Sequence, residues 1–385
     1  MLYQKILNKL DEQRGLSDKL AALAGYKTGQ ALRKSLKENR EFGSFQGLIN
    51  LVQELFPSDE VKMMGEYART LDPNKQTARY MVEYCELNKL MDTKEYLMEQ
   101  MLSCSNAQSK EWANVYYIEH EFSKGNIDLN KTIEMYGRIN SKYADTLVAK
   151  EIYKAYCYST KQMFNMTYPI LIGIENYFES IKDKYIKENF MGRYHLLVSE
   201  HFTMNNELDK SRAYCEKIIK EVSIKSLKAI AYLQLGNSYI IDSFEKSYEY
   251  FIKAFDYASS INENIIIDIK RSLSFLHNVW NKYNTYLIHE SNHVSDRHEI
   301  IFSLYNENKI NEANEKMNEI DFDYLTDNQK AFNLYLKGRL TGDIACFSES
   351  IIYFKKSGDM LFRRLPIIEL QKFNIPESVL SALMY

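Results

Sequence analysis

The chain has 385 residues, 49 basic against 52 acidic side chains, 45% hydrophobic residues and a net charge of −3, a globular composition too long for one ordinary core and so suited to several domains or a repeat array. No apolar run approaches the ~18 residues of a membrane span, and charges interrupt the opening "MLYQKILNKLDEQRG", so neither a membrane span nor a secretory signal is expected and a cytoplasmic location is. The five cysteines are odd in number, widely separated and never in a CxxC pair, against both a disulfide framework and a zinc knuckle.

The first predicted element, "YQKILNKLDEQ", sets Tyr3, Ile6, Leu7 and Leu10 at helical spacing. In "LSDKLAALAGYKTGQALRKSLKEN" (16–39) Ser17 is expected to cap a helix running to about Ala24. Leu20 and Leu23 would turn inward, Ala21 would admit a crossing helix, and Gly25 would end the segment in the left-handed conformation. Thr28 then caps a second helix with Ala31, Leu32 and Leu36 inside and Gly29, Gln30, Arg33, Lys34 and Lys37 outside. With "SFQGLINLVQELF" as a fourth helix, residues 1–55 read as a helix-turn-helix DNA-binding domain.

The second helix of such a unit enters the major groove, where Gln reads adenine and Arg reads guanine. The expected DNA-binding residues are Thr28, Gln30, Arg33, Lys34 and Lys37. Residues 1–45 hold nine basic and five acidic side chains, so this segment is about +4 and the remainder about −7, which suits one basic face on an acidic body. The competing view is a solvated face on an ordinary helical hairpin.

From residue 45 to 190 the chain reads as helical, with degenerate hairpins such as "HEFSKGNIDLNKTIEMYGRI". Beyond it, "AYLQLGNSYIIDSFEKSYEYFIKAFDYA" (231–258) and "LYLKGRLTGDIACFSESIIYFKKS" (334–357) share one layout: a helix with a central Gly, a turn, and a helix with an aromatic pair before Lys. Gly236 and Gly338 lie 102 residues apart, three times the roughly 34-residue tetratricopeptide period. Two looser units turn at Asn206 and Asn308, each followed five residues later by a small residue, Ser211 or Ala313. Residues 56–385 therefore read as a tetratricopeptide-like superhelix, and the fold class as all-α.

The first helices of such units line a concave groove. Repeat phase alone nominates Asn237, Glu200 and His298 for it; an amide such as Asn237 matches a peptide unit with one donor and one acceptor. No catalytic constellation, phosphate loop or HExxH motif occurs, so neither an enzyme nor a cofactor is expected. His289, His293 and His298 have no common metal-ligand spacing, and no metal is expected.

A helix-turn-helix followed by this array resembles the peptide-sensing regulators of Gram-positive bacteria and their phages, and most nearly the AimR family of arbitrium receptors of Bacillus phages. The residues that carry the resemblance are "LAALAGY", "SKEWANVY" (109–116), "AYLQLGNSYI" (231–240), "SFLHNVWNKYN" (274–284), "LYLKGRL" (334–340) and "YFKKSGDMLFRRLPIIELQKF" (353–373). The resemblance implies a homodimeric transcription regulator that binds operator DNA. A secreted peptide of about six residues would switch it off, shifting the phage from lysis towards lysogeny.

It also implies that Asn237, Asn328, Asp359, Phe362 and His298 contact the peptide, Asp359 taking its arginine, and that Val379, Leu380, Leu383 and Met384 form a dimer contact. The chain departs from the family pattern at Glu200, where relatives have Asn, and at Met204. Two further readings stand beside this one: an interaction scaffold for a partner's tail, and an anti-activator whose N-terminal bundle binds a response regulator instead of DNA.

Overall fold

The computed structural model describes residues 2–161, 163–258, 263–373 and 375–384, and shows helices and no strand among them. The chain forms two compact units, residues 1–154 with 173–191, and residues 155–172 with 192–385.

The first unit contains α1 (Leu2–Glu12), α2 (Leu16–Ala21), α3 (Gly29–Lys37), α4 (Phe45–Leu55), α5 (Glu60–Ala68), α6 (Gln76–Leu87), α7 (Met91–Ser103), α8 (Ala107–Ser123) and α9 (Leu129–Arg138). It also holds most of α10 (Ala144–Thr160). Ile6 and Leu10 of α1, Leu32 and Leu36 of α3, and Leu48, Leu51 and Val52 of α4 are buried together in the N-terminal bundle. Farther along, the core is polar as well as apolar. Glu83, fully buried, accepts hydrogen bonds from Tyr153 (2.9 Å), Asn189 (2.8 Å) and Tyr116. Lys94, also fully buried, is held by Glu86 and by Glu119 at 2.8 Å. Buried charges of this kind persist only when their hydrogen-bonding capacity is met.

The short α11 (Thr167–Leu171) belongs to the second unit, and α12 (Glu175–Phe178) with the start of α13 (Lys184–Met204) returns to the first. The rest of α13 begins a run of hairpins: α13 with α14 (Leu208–Glu221), α15 (Lys225–Tyr239) with α16 (Phe244–Ala258), α18 (Val294–Asn306) with α19 (Ile310–Asn318), and α20 (Asp327–Thr341) with α21 (Ile344–Ser357). A single helix, α17 (Glu263–Val279), interrupts the run, and α22 (Arg364–Leu370) and α23 (Glu377–Met384) end it. The four hairpins fall where the repeat phase places them, and Asn206 and Asn308 both take the left-handed turn conformation at φ 60°.

Close approach inside the hairpins explains the two phase-setting glycines. A Cβ on Gly236 would lie 2.3 Å from the Phe251 ring, and one on Gly338 would lie 2.8 Å from Phe347. Phe251 is fully buried as a result, and burying such a ring contributes about 2–3 kcal/mol. Small residues on the second helices complete the fit: Ser247 donates to the Gly236 carbonyl at 2.8 Å, and Ser350 donates to that of Ala331 at 2.8 Å. Ser211 and Ala313, at the equivalent step, are fully buried. On α23, Leu380 is buried, Leu383 packs half-buried on the core and Val379 is exposed, so part of the terminal stripe folds back on its own unit. The Met384 side chain lies outside the described residues.

Candidate functional site

Two places gather the residues expected to bind. On the first unit, a shallow depression is lined by Thr28, Gln30, Arg33, Lys34 and Lys37, together with Ser17, Asp18 and Glu38. The local geometry corrects several expectations. Helix α2 ends at Ala21, and Gly15, not Ser17, holds its N-cap position. Ser17 is instead a buried acceptor for Arg33 Nε at 3.1 Å. Because α2 stops early, Leu23 points outward, and Ala24 takes the inward place.

Gly29 is buried rather than outward, since a Cβ there would lie 2.6 Å from the Ser17 backbone; its N–H donates to Asp18 Oδ1 at 3.0 Å. Ala31 is exposed, and Ser35, which accepts from the Tyr26 hydroxyl at 2.7 Å, joins Leu32 and Leu36 inside. Thr28 caps α3 as expected, accepting from Ala31 N at 3.2 Å.

Arg33 is the main departure. It is half-buried, ion-paired with Asp11 and bonded to the Leu10 carbonyl at 2.6 Å, so it ties α3 to α1 and α2 instead of projecting outward. The exposed cations on this face are Lys27, Lys34 and Lys37, with Gln30 beside them.

The second place is a cavity of about 410 Å³ in the second unit, within the range of small-ligand and short-peptide pockets. Each wall is one helix face. Helix α13 contributes Glu200, Thr203 and Met204; α15 contributes Ile230, Leu233, Gln234 and Asn237; α17 contributes Asp268, Arg271, Ser272 and Phe275. Helix α18 adds Ser295, His298 and Glu299, α20 adds Asn328, Gln329 and Phe332, and Leu361 with Phe362 completes the ring. Met360 N donates to the Met204 carbonyl at 2.5 Å, joining the last wall to the first.

Five of the six residues expected at a peptide site, Glu200, Asn237, His298, Asn328 and Phe362, line this one cavity. Asp359 stands just behind its wall. It is buried, accepting from Asn328 Nδ2 at 2.9 Å and from the Phe362 amide at 2.9 Å. Burial pushes its carboxyl up to about 6 against those hydrogen bonds. With both oxygens engaged, it orients the Asn328 amide and the Phe362 segment at the cavity's edge.

Glu299, adjacent to His298, was not anticipated. Its carboxylate accepts from Asn278 Nδ2 at 2.6 Å, and loss of surrounding water pushes it up to about 8. His298 is driven the other way, to about 3, chiefly by burial, so it is a neutral ring near neutral pH. Arg271 is paired with Asp296 through two 2.8 Å contacts. The α17 wall was missed although Asp268, Arg271, Ser272 and Phe275 are spaced by three and four, a helical stripe that could have exposed it. No cluster of metal-ligating side chains occurs among the described residues. No helix among them is long and apolar enough to cross a membrane.

The profile described as AimR transcriptional regulator-like matches residues 60–372. The AimR transcriptional regulator of Bacillus phage SPbeta is 31% identical over 97% of this chain and 97% of its own. That of Bacillus phage phi3T is 28% identical over 98% and 99%. A solved structure of phAimR with its ligand superposes with a TM-score of 0.81 at 28% identity, covering 87% of this chain and 98% of that one. With a profile that spans most of its length and a phage regulator alike from end to end, the chain belongs to the AimR transcriptional regulator family.

Proposed function

We propose that this phage transcription regulator binds operator DNA through α3 and is switched off by a short oligopeptide held in the second unit's cavity, so that extracellular peptide shifts the phage from lysis to lysogeny. The observation that carries the reading is the cavity itself: amides from Asn237, Asn328 and Gln329 share it with the carboxyl of Glu299 and the aromatic rings of Phe275, Phe332 and Phe362. Amides pair with a peptide backbone whatever its side chains, rings cover apolar residues, and an acid takes a basic one. A family relative solved with its ligand supports the same use of the fold.

On the first unit, Gln30, Lys34 and Lys37 are exposed on one side of α3, the arrangement that places an amide at base edges and ammonium groups at phosphates. Arg33 holds α3 at its angle to α1. The active species is proposed to be a homodimer, with the exposed part of α23 at the contact; residues 1–55 would serve as the DNA-binding domain and 56–385 as the peptide-binding and dimerising domain. Ligand bridging several cavity walls would change the separation of the two DNA-reading heads.

The test is a gel shift on the DNA upstream of the protein's own coding sequence, at stated salt, with and without hexapeptides encoded just downstream. The reading expects a retarded band that one peptide abolishes. Retardation insensitive to every peptide, or none at all, counts against it.

A further inference from the structure

The cavity contains an acid that the reading above leaves unused. Glu200 lies on the α13 wall, in step with Thr203 and Met204. Its Oε2 accepts from Ser159 at 2.8 Å, and its Oε1 has no partner among the described residues. No cation is close to it, and burial raises its carboxyl above the ordinary range against that single hydrogen bond. The charges facing it from the other walls do not relieve this. Arg271 on α17 is spent on Asp296, His298 on α18 is neutral near neutral pH, and Asp268 and Glu299 are acids. Glu200 and Glu299 also sit on separate walls, with α15 and α17 between them in chain order.

Glu200 is a half-buried acid on the cavity wall with one oxygen open towards the cavity and no cation beside it, so a cationic group of a bound ligand would find an unpaired carboxylate there. We propose that Glu200 is a second charge-selective subsite of this cavity, so that its oligopeptide carries two positive groups, one for Glu299 and one for Glu200. The group at Glu200 is a cationic nitrogen, either the free N-terminal ammonium or a basic side chain. A Gln at this position would offer the same shape without the charge, so the residue sets ligand selectivity rather than the mode of binding. The proposal rests on the peptide reading.

The experiment uses the full chain with hexapeptide mixtures in which one position at a time is fixed as Arg, Lys or norleucine, each with a free or an acetylated N-terminus. Binding is measured by calorimetry to wild type, Glu200→Gln and Glu200→Asp. Wild type is expected to prefer positive charge at two places. If the second is the N-terminus, acetylation weakens binding about tenfold; if it is a side chain, a second fixed position prefers Arg or Lys over norleucine by that factor. Glu200→Gln is expected to erase that one preference and leave the other, and Glu200→Asp to restore part of it.

The proposal is overturned if Glu200→Gln retains both preferences, or if it weakens all mixtures equally, as a purely structural role would require. Failure of every mixture to bind the wild type overturns the peptide reading and this proposal together, whereas a single preference unchanged by Glu200→Gln overturns this proposal alone.

Discussion

The basic face of α3 and the acidic cavity handle charge in opposite ways. On α3 the lysines stand in water and their carboxylate neighbours are pinned elsewhere, Asp18 on the Gly29 amide and Glu38 on Arg40. Water and salt screen such charges, so each acts weakly and their effect comes from several together. In the cavity wall and just behind it, Glu299 and Asp359 have lost much of their water and are shifted to about 8 and 6. There a charge is screened far less, so one correctly placed group acts strongly. One surface suits a long, uniformly charged polymer; the other suits a small ligand whose few charges must be correctly placed.

The most severe way to break the comparison is to remove the cavity without touching the basic face. Gly236→Val would drive its side chain into Phe251 and is expected to cost about 2–3 kcal/mol by overpacking, seen as a lower melting temperature with weakened peptide binding. A variant that melts like the wild type would show that the hairpin has room the geometry denies it.

Next in size, Lys34→Ala with Lys37→Ala should weaken operator binding ten- to a hundredfold at low salt, with a shallower salt dependence and an unchanged melting temperature. Arg33→Ala should instead lower the melting temperature, since it removes the tie to Asp11, Leu10 and Ser17. A gel shift and a thermal melt on the same preparations separate the two roles.

Asp359→Asn tests the cavity alone. It keeps the size but removes the charge and one of the two oxygens that accept from Asn328 and the Phe362 amide, and peptide affinity measured by calorimetry should drop about tenfold, on the order of 1–2 kcal/mol. The smallest effect expected is on pH. Glu299 in the wall and Asp359 behind it have raised pKa values in the free protein, so each is protonated below its shifted value and a cationic ligand then meets less negative charge. Binding favours the ionised form and releases protons, and affinity should therefore rise severalfold from about pH 5 to pH 8. Affinity that falls over this range would mean that the ligand is not a cation.

Much of this was legible in the sequence, for reasons that differ along the chain. The hairpins of the second unit were readable because Gly236 and Gly338 must be glycine where Phe251 and Phe347 press on them, and turns at Asn206 and Asn308 fix the spacing. Asn237, Asn328, His298, Phe362 and Glu200 followed from that phase and from family likeness. Arg33 was misread because a basic residue on an amphipathic helix looks the same whether it faces water or reaches Asp11 across the bundle; that partner is 22 residues away. Leu23 was misplaced because α2 ends two or three residues early. The α17 wall was missed for a related reason: α17 lies outside the hairpin rhythm, so phase counting passes over it, whereas Glu299 was missed because the count took only His298 from α18.

The backbone bond between Met360 and Met204 bears on how such receptors diverge. It joins the first and last walls of the cavity through an amide and a carbonyl, groups that every residue except proline supplies in full. Met204 thus closes the ring with its main chain and is itself a lining residue of the cavity. On the proposed reading, substitution at that position would alter which ligand the cavity accepts while leaving in place the main-chain bond that closes its wall.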